Sequence, residues 1–174
     1  MRFKIVGFTG AAGAGKDTAA SGLIDAGWQK VSFADPIKEA LNAMMGWNMS
    51  DWADREWKES EHYLVGRSPR YMAQTLGTEW GRDTIHPDIW IALGLERCHG
   101  KATVIPDVRF DNEAKAIHDA GGQLIEIVRP DNPFAITGGH ASESGVDRQY
   151  IAHTIVNDGD VGKMISAVDS IVFL

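Results

Sequence analysis

The sequence contains a single cysteine, Cys98, so no disulfide can form within the chain. Thiols without disulfide partners are typical of reducing compartments. No hydrophobic run is long enough to span a bilayer, and no secretory signal precedes the first apolar run. We therefore expect a cytoplasmic protein with no membrane partner. Cys98 stands beside His99 and Gly100 near a predicted helix end, and we assign it to packing.

Positive charge is also scarce, because 17 Lys and Arg stand against 24 Asp and Glu, for a net charge of −7 without a basic stripe. Binding of a nucleic-acid polymer requires many phosphate contacts, so we expect no such partner. A small anionic ligand is not excluded, since a few arginines can form a positive pocket in an acidic protein. The six histidines are scattered, which argues against a zinc site.

The chain nevertheless has what a globular core requires. Hydrophobic residues make up 44% of its 174 residues, and there is no low-complexity tract or internal repeat. We predict a single domain over residues 1–174, with a partly helical insert near 47–67 and a loop near 130–149.

The most specific motif follows the first apolar run, residues 3–8, and precedes a helical pattern. It has the spacing G-x-x-G-x-G-K-x-T and consists of Gly10, Gly13, Gly15, Lys16 and Thr18. Glycines between a strand and a helix allow the backbone to curl with its N–H groups pointing inward, which forms a phosphate-binding loop. The nucleotide-binding residues predicted here, for ATP, are Gly10, Gly13, Ala14, Gly15, Lys16, Asp17 and Thr18.

Within this loop, Lys16 is predicted to reach the β- and γ-phosphates, and a hydroxyl to help hold Mg²⁺. Asp17 stands where Ser or Thr usually follows the lysine, and the hydroxyl comes one place later, at Thr18. Nucleoside monophosphate kinases show the same shift. Either Thr18 or Asp17 could contact the metal.

Strands alternate with helices along the rest of the chain, and the strands are apolar runs. Helix starts are predicted at Asp35-Pro36, Ser68-Pro69, His86-Pro87 and Asp111. Asp35 and Asp111 are predicted as the N-caps of their helices, and the helix after Asp111 is predicted to end at Gly121-Gly122. Strands are predicted at 29–33, 102–105, 124–128 and 151–156. The pattern predicts an α/β fold: a P-loop NTPase-type parallel sheet of about five strands with helices on both faces. Ligands of such sheets bind at the carboxyl ends of the strands.

Two segments are harder to interpret. Residues 47–67 contain Trp47, Trp52 and Trp57 among charged residues. They form either a mobile cover for a ligand or a helical hairpin whose tryptophans pack on the body. In the loop near 130–149, His140, Ser142 and Glu143 resemble a nucleophilic triad. Such close neighbours rarely converge and no nucleophile-elbow pattern accompanies them, so we assign them to a lid contact or turn.

Transfer between two phosphates needs arginines that hold mutually repelling groups in line. Asp107 and Arg109 follow a predicted strand, where a metal-orienting carboxylate and a phosphate ligand belong, and Lys38 could also meet an acceptor phosphate. The other candidates, each with a surface salt bridge as the alternative, are Arg67, Arg70, Arg82, Arg129 and Arg148.

Five blocks of the chain, in this order, resemble the phage-type deoxynucleoside monophosphate kinases. They are Gly10–Thr18, Phe33–Leu41, Gln74–Asp83, Asp107–Glu113 and His140–Glu143. The resemblance implies a nucleoside monophosphate kinase-like fold and phosphorylation of deoxynucleoside monophosphates by ATP with Mg²⁺. It also implies a location in the host cytoplasm if a phage encodes the chain.

The same resemblance implies roles for individual residues. The catalytic residues are Lys16, Arg82, Asp107 and Arg109, and the metal ligands are Thr18 and Asp107. The acceptor nucleotide is bound by Asp35, Lys38, Arg70, Trp80 and Arg109. The lid residues are Arg129, His140, Glu143 and Arg148.

Two alternatives remain open from the sequence. Animal-type phosphomevalonate kinases share the Gly-Lys-Asp loop and an Asp-x-Arg strand end, so another small phosphorylated acceptor would keep the chemistry. In a non-catalytic ATP-binding module, only the phosphate loop would be functional. A GTPase switch would need a guanine-binding Asn-Lys-x-Asp motif, which this sequence does not contain. The sequence leaves open which bases are accepted, whether deoxyribose is required, and whether the chain is a monomer or a homodimer.

Overall fold

Five strands form one parallel sheet in the computed structural model, which describes residues 4–132 and 146–173. The strands lie in the order β2-β3-β1-β4-β5, and all neighbours are parallel. The strands are β1 (Ile5–Thr9), β2 (Gln29–Lys30), β3 (Thr103–Ile105), β4 (Gln123–Val128) and β5 (Ile151–Val156). The predicted α/β class is therefore confirmed, with the strand that carries the phosphate loop in the middle.

Strand β2 is shorter than the predicted 29–33. It is an edge strand, and its partner β3 has only three residues. The amide of Val31 still donates to the carbonyl of Val104 at 3.0 Å, after which no strand pairing continues. A parallel strand can extend only as far as its partner offers hydrogen-bonding groups.

Helices cover both faces of the sheet. On one face, α1 (Lys16–Asp25) and α7 (Val161–Phe173) bury the core side chains of the strands. On the other face, α6 (Asp111–Asp119) packs so closely that a Cβ on Gly7 would lie 2.9 Å from the side chain of Ile117. The largest fully buried side chains of the first face include Phe8, Leu23, Ile125, Ile127, Val168 and Val172.

The described chain divides into two compact units. One comprises the described residues of Met1–Ser32 and Arg97–Leu174, and it contains the whole sheet. The other is Phe33–Glu96. The single domain over residues 1–174 stays a prediction. The remaining helices are α2 (Asp35–Met45), α3 (Arg55–Glu59), α4 (Pro69–Thr75), α5 (Ile89–Cys98), 3-10 turns at Met49–Ala53 and Arg148–Tyr150, and a π-helical stretch at Leu76–Ile85.

Predicted helix starts are correct to within two or three residues. The hydroxyl of Ser68 caps α4 by accepting from the amide of Tyr71 at 3.2 Å. Asp35 was predicted as the cap of α2, but Ala34 takes that position, since its carbonyl already accepts from Lys38 at 3.1 Å. Asp111 is likewise the first helical residue of α6 rather than its cap. α5 begins at Ile89, after the turn that His86-Pro87 introduces.

The tryptophans of the 47–67 segment pack on one another. The ring centroids of Trp47 and Trp57 are 4.9 Å apart and those of Trp52 and Trp57 are 5.4 Å apart, all in edge-on contact. The indole N–H of Trp52 donates to the side-chain oxygen of Asn42 at 2.9 Å. The segment contains the 3-10 turn Met49–Ala53 and α3 (Arg55–Glu59), and its aromatic residues form a packed cluster. The insert and its ligand-covering role stay predictions.

The π-helical stretch is shaped by two buried glycines. A Cβ on Gly81 would lie 2.4 Å from the ring of Trp90, so only glycine fits there. The same indole donates to the carbonyl of Gly77 at 2.7 Å. These contacts fix the stretch that carries Trp80 and Arg82. None of the described helices is long and apolar enough to cross a membrane.

The packing of α1 on α7 gives a first prediction. A Cβ on Gly22 would lie 2.8 Å from a branched methyl of Ile165, whereas one on Gly162 would meet nothing closer than 3.4 Å. Alanine is the better helix former, but overpacking costs more than this gain. We expect Gly22→Ala to lower the free energy of unfolding by about 1–2 kcal/mol and Gly162→Ala to raise it by about 0.5 kcal/mol. Urea unfolding followed by circular dichroism measures both, and equal gains would contradict the packing.

Candidate active site

The carboxyl end of β1 leads directly into the phosphate loop. Gly10, Gly13 and Gly15 have φ angles of +133°, +76° and +104°, a region that favours glycine. At Gly10 a Cβ would also lie 2.2 Å from the carbonyl oxygen of Ile127 on β4. The glycine spacing in the sequence therefore corresponds to backbone geometry that other residues cannot adopt.

Lys16 is folded back over this loop. Its Nζ donates to the carbonyl oxygens of Gly10 at 2.7 Å and Ala11 at 3.0 Å, and lies 3.8 Å from a carboxylate oxygen of Asp107. Burial lowers the pKa of the Lys16 ammonium, and attraction to Asp107 opposes part of that shift. A mostly buried cation beside a loop of backbone amides is a strong site for an anion.

Asp107 and Arg109 form the second part of the site. They follow β3, and the amide of Val108 extends the pairing by donating to the carbonyl of Phe8 at 2.9 Å. Two nitrogens of Arg109 contact one carboxylate oxygen of Asp107, Nε at 2.8 Å and Nη2 at 2.6 Å. The Asp107 carboxylate thus lies between Lys16 and Arg109, so three residues that were predicted to act together are neighbours.

Glu113 holds this turn in place and was not predicted. Its side chain is 4% exposed, and one carboxylate oxygen accepts from the amides of Arg109 at 2.9 Å and Phe110 at 3.3 Å. The available signal was the position of a Glu in the first turn of α6, where such side chains accept from amides that precede the helix.

A pocket of about 400 Å³ adjoins the phosphate loop. Arg129, predicted as a lid residue, lies in its wall at the end of β4. The turn after β5 contributes Asn157 and Gly159, which are not among the predicted site residues. The lining residues are Gly13, Gly15, Lys16, Asp17, Thr18, Arg129, Asn157, Gly159, Val161 and Met164.

The two residues that compete for a metal role differ in their surroundings. Asp17 is exposed and pairs with Lys30, at 3.3 Å between Oδ1 and Nζ. Thr18 is partly buried in the pocket wall. Among residues 4–132 and 146–173, no group of three or more His, Cys, Asp or Glu side chains could hold a metal by itself.

The remaining predicted residues fall elsewhere. In the unit Phe33–Glu96, Lys38 lies 3.9 Å from Asp35, and Arg70 pairs with Glu59 at 2.6 Å. Trp80 of this unit is 49% exposed beside Trp90, and Arg82 is partly buried. His140 and Glu143 lie outside the described residues. Arg148, in the sheet-containing unit, is exposed on a 3-10 turn, and Arg67 of the other unit lies over the ring of Tyr71.

Comparison with known proteins identifies the family. A family model described as deoxynucleotide monophosphate kinase matches residues 55–168, more than half of the 174-residue chain. The chain belongs to the deoxynucleotide monophosphate kinase family. It is 28% identical to deoxynucleoside-5'-monophosphate kinase of Escherichia phage T5, over 90% of each chain. It is 37% identical to a protein of Acanthamoeba polyphaga mimivirus to which the same activity is assigned provisionally, over 72% of this chain and 74% of the relative.

The fold of this family member is also found in solved structures. Dephospho-CoA kinase from Campylobacter jejuni superimposes with a TM-score of 0.53 at 13% sequence identity, over 97% of this chain and 95% of that one. At this identity the likeness shows the fold alone. It confirms the predicted P-loop kinase fold, similar to that of nucleoside monophosphate kinases.

The role of Glu113 in this kinase fold can be tested by its stability. Replacing it by Ala leaves the partly buried amides of Arg109 and Phe110 without this acceptor, which costs about 1–3 kcal/mol. We expect Glu113→Ala to lower the free energy of unfolding by that amount, and Glu113→Gln, which keeps an acceptor oxygen, by less. Urea unfolding of both variants measures this, and equal losses would show that the acceptor is not what matters.

Proposed function

We propose that the chain transfers the γ-phosphoryl group of ATP to deoxynucleoside 5'-monophosphates, giving deoxynucleoside diphosphates and ADP. The observation that carries this proposal is the arrangement of Lys16, Asp107 and Arg109 beside a phosphate loop, in a member of the deoxynucleotide monophosphate kinase family.

In this proposal the donor nucleotide binds to the sheet-containing unit. Its phosphates would bind the loop, where Lys16 exchanges the carbonyls of Gly10 and Ala11 for phosphate oxygens. The nucleoside would occupy the adjoining pocket, whose wall offers the Arg129 guanidinium and the apolar side chains of Val161 and Met164. A planar guanidinium can stack on a base while apolar groups pack against it.

The chemistry requires charge neutralisation rather than a strong base. The oxygens of an acceptor phosphate are already ionised near neutral pH, so they can attack the γ-phosphorus directly. Arg109 offers a planar set of donors for phosphate oxygens. It is held by Asp107 at the carboxyl end of β3, so it is already ordered before substrate binds.

The acceptor nucleotide is assigned to residues that the family resemblance indicates. In the unit Phe33–Glu96, Trp80 presents a half-exposed indole on which a base can stack. Arg82 completes the proposed catalytic set. The proposed acceptor ligands are Asp35, Lys38, Arg70, Trp80 and Arg109.

The oxygen ligands available near the loop fit Mg²⁺. This ion prefers oxygen ligands, keeps several waters and usually takes only one or two protein groups beside substrate phosphates. Thr18 lines the pocket and the Asp107 carboxylate lies near Lys16, so these two residues would hold the ion. The bound ion supplies neutralisation of the charge that develops between the β- and γ-phosphates.

Three further predictions remain part of this proposal. The loop near 130–149 acts as a lid over the substrates, with Arg129, His140, Glu143 and Arg148 as the lid residues. The protein works in the cytoplasm, that of the host if a phage encodes it. Its partners are small nucleotides, and it acts as a monomer or a homodimer without a nucleic-acid polymer.

Release of ADP from Mg-ATP tests the function directly. We expect turnover with one or more of the four deoxynucleoside monophosphates and little without an acceptor. The panel includes the ribose counterparts and phosphomevalonate. Turnover with phosphomevalonate alone would show that the acceptor is not a deoxynucleoside monophosphate. ATP binding without acceptor-dependent turnover would instead favour the non-catalytic ATP-binding module.

Variants of the two cations test the assigned chemistry. Lys16→Ala and Arg109→Ala each remove positive charge from the transferring phosphoryl group, and we expect kcat to fall by about 10²–10³-fold. Lys115→Ala removes an exposed lysine paired with Asp119 on α6, and it serves as the control. Normal turnover by Arg109→Ala at unchanged thermal stability would remove that residue from the active site.

A further inference from the structure

Asn157 lies where the last strand meets the phosphate loop. It follows β5, and its backbone amide donates to the carbonyl of Val128 at 2.8 Å, which extends the β4–β5 pairing by one residue. The residue is 9% exposed. Its main chain is therefore held by the sheet, and its polar side chain is buried and must satisfy its own hydrogen bonds.

Both ends of the side-chain amide have a partner. Nδ2 donates to the carbonyl oxygen of Ala14 in the phosphate loop at 2.8 Å, and Oδ1 accepts from the amide of Gly159 at 3.0 Å. An amide rotated by 180° would face a carbonyl with an oxygen and an N–H with an N–H, so the two partners fix its orientation. One side chain thus joins the phosphate loop to the turn that lines the nucleoside pocket.

The contact with Ala14 determines where the next N–H group points. The described chain has no cis peptide bond, and in a trans peptide the C=O and the following N–H point in opposite directions. Since the carbonyl of Ala14 points to Asn157, the N–H of Gly15 points away from it. In the proposed function the backbone N–H groups of this loop bind the phosphates, so Asn157 sets the direction of one of these groups.

The Asn157 side chain also packs tightly against the backbone of Gly15. A Cβ on Gly15 would lie 2.6 Å from the Asn157 amide nitrogen, and the φ of +104° at Gly15 already favours glycine. Asn157 therefore rests directly against the loop backbone. Without its amide, the buried carbonyl of Ala14 loses this donor, and with it the hydrogen bond that fixes the orientation of the peptide between Ala14 and Gly15.

We propose that Asn157 is a positioning residue for the polyphosphate of the donor. Its amide holds the Ala14–Gly15 peptide in the orientation that binds phosphate, and it does so without contacting the reacting atoms. The inference rests on the proposed function, because it takes the loop as the site of a nucleoside triphosphate.

The test separates this role from a simpler one, in which Asn157 is only a wall of the nucleoside pocket. Binding of ATP and of inorganic tripolyphosphate, both with Mg²⁺, is measured by calorimetry for each variant. Asn157→Leu is similar in size and uncharged, and it lacks both hydrogen bonds. Asn157→Asp keeps the acceptor for Gly159 and loses the donor for Ala14. Val168→Ala, a core truncation in α7, is the control for lost stability.

We expect Asn157→Leu to lower the affinity for ATP and the affinity for tripolyphosphate by similar factors, about tenfold each, because a buried hydrogen bond is lost. Asn157→Asp should weaken both at least as much, including in salt that screens its charge. The KM for the acceptor should stay unchanged in either variant, and Val168→Ala should bind both ligands normally.

Two results would overturn the inference. Tripolyphosphate binding unchanged in Asn157→Leu, with ATP alone weakened, would make Asn157 part of the nucleoside wall. Normal affinity for both ligands in Asn157→Asp would show that the Ala14 contact is dispensable, even if Asn157→Leu does not fold. If the wild-type chain binds neither ligand, the proposed function itself fails, and the two failures are thus distinguishable.

Discussion

A loop that binds phosphate with its backbone N–H groups must turn its carbonyl groups outward, where each needs a donor. In this protein one donor is the lysine of the loop itself, and two come from distant parts of the chain. The Lys16 ammonium donates to the carbonyls of Gly10 and Ala11. The side-chain amide of Asn132 donates to the carbonyl of Ala12 at 2.8 Å, and that of Asn157 donates to the carbonyl of Ala14. The outward carbonyls thus connect the loop to the ends of β4 and β5.

This constraint explains why the parallel sheet matters for the site. Parallel strands deliver their carboxyl ends to one edge, so the loop after β1 receives support from the residues that follow its neighbours. β3 brings Asp107 and Arg109 to Lys16, and the helix that follows supplies Glu113 to hold their turn. Although the net charge is −7, the edge gathers two cations around one carboxylate, which suits a polyanionic ligand.

The unit Phe33–Glu96 has a different special feature, the π-helical stretch Leu76–Ile85. This stretch contains two buried glycines: Gly81 lies against the ring of Trp90, and the carbonyl of Gly77 accepts from the N–H of the same indole. π-Helical turns are rare and occur frequently at functional sites. Here the stretch carries Trp80 and Arg82, which the proposed function assigns to the acceptor nucleotide and to catalysis.

The sequence by itself determined the parts that depend on local geometry. Glycine spacing, apolar runs and helix signals predicted the phosphate loop, the α/β class and the strands β4 and β5. These features depend on backbone angles and burial patterns that residues close in the sequence determine. It also placed Asp107 and Arg109 at a strand end. Only the tertiary structure decided what those groups contact. The Asn157–Ala14 bond joins residues 143 positions apart, and the length of β2 depends on its partner β3. Such pairings arise from the packing of the whole sheet, which no local pattern in the chain encodes.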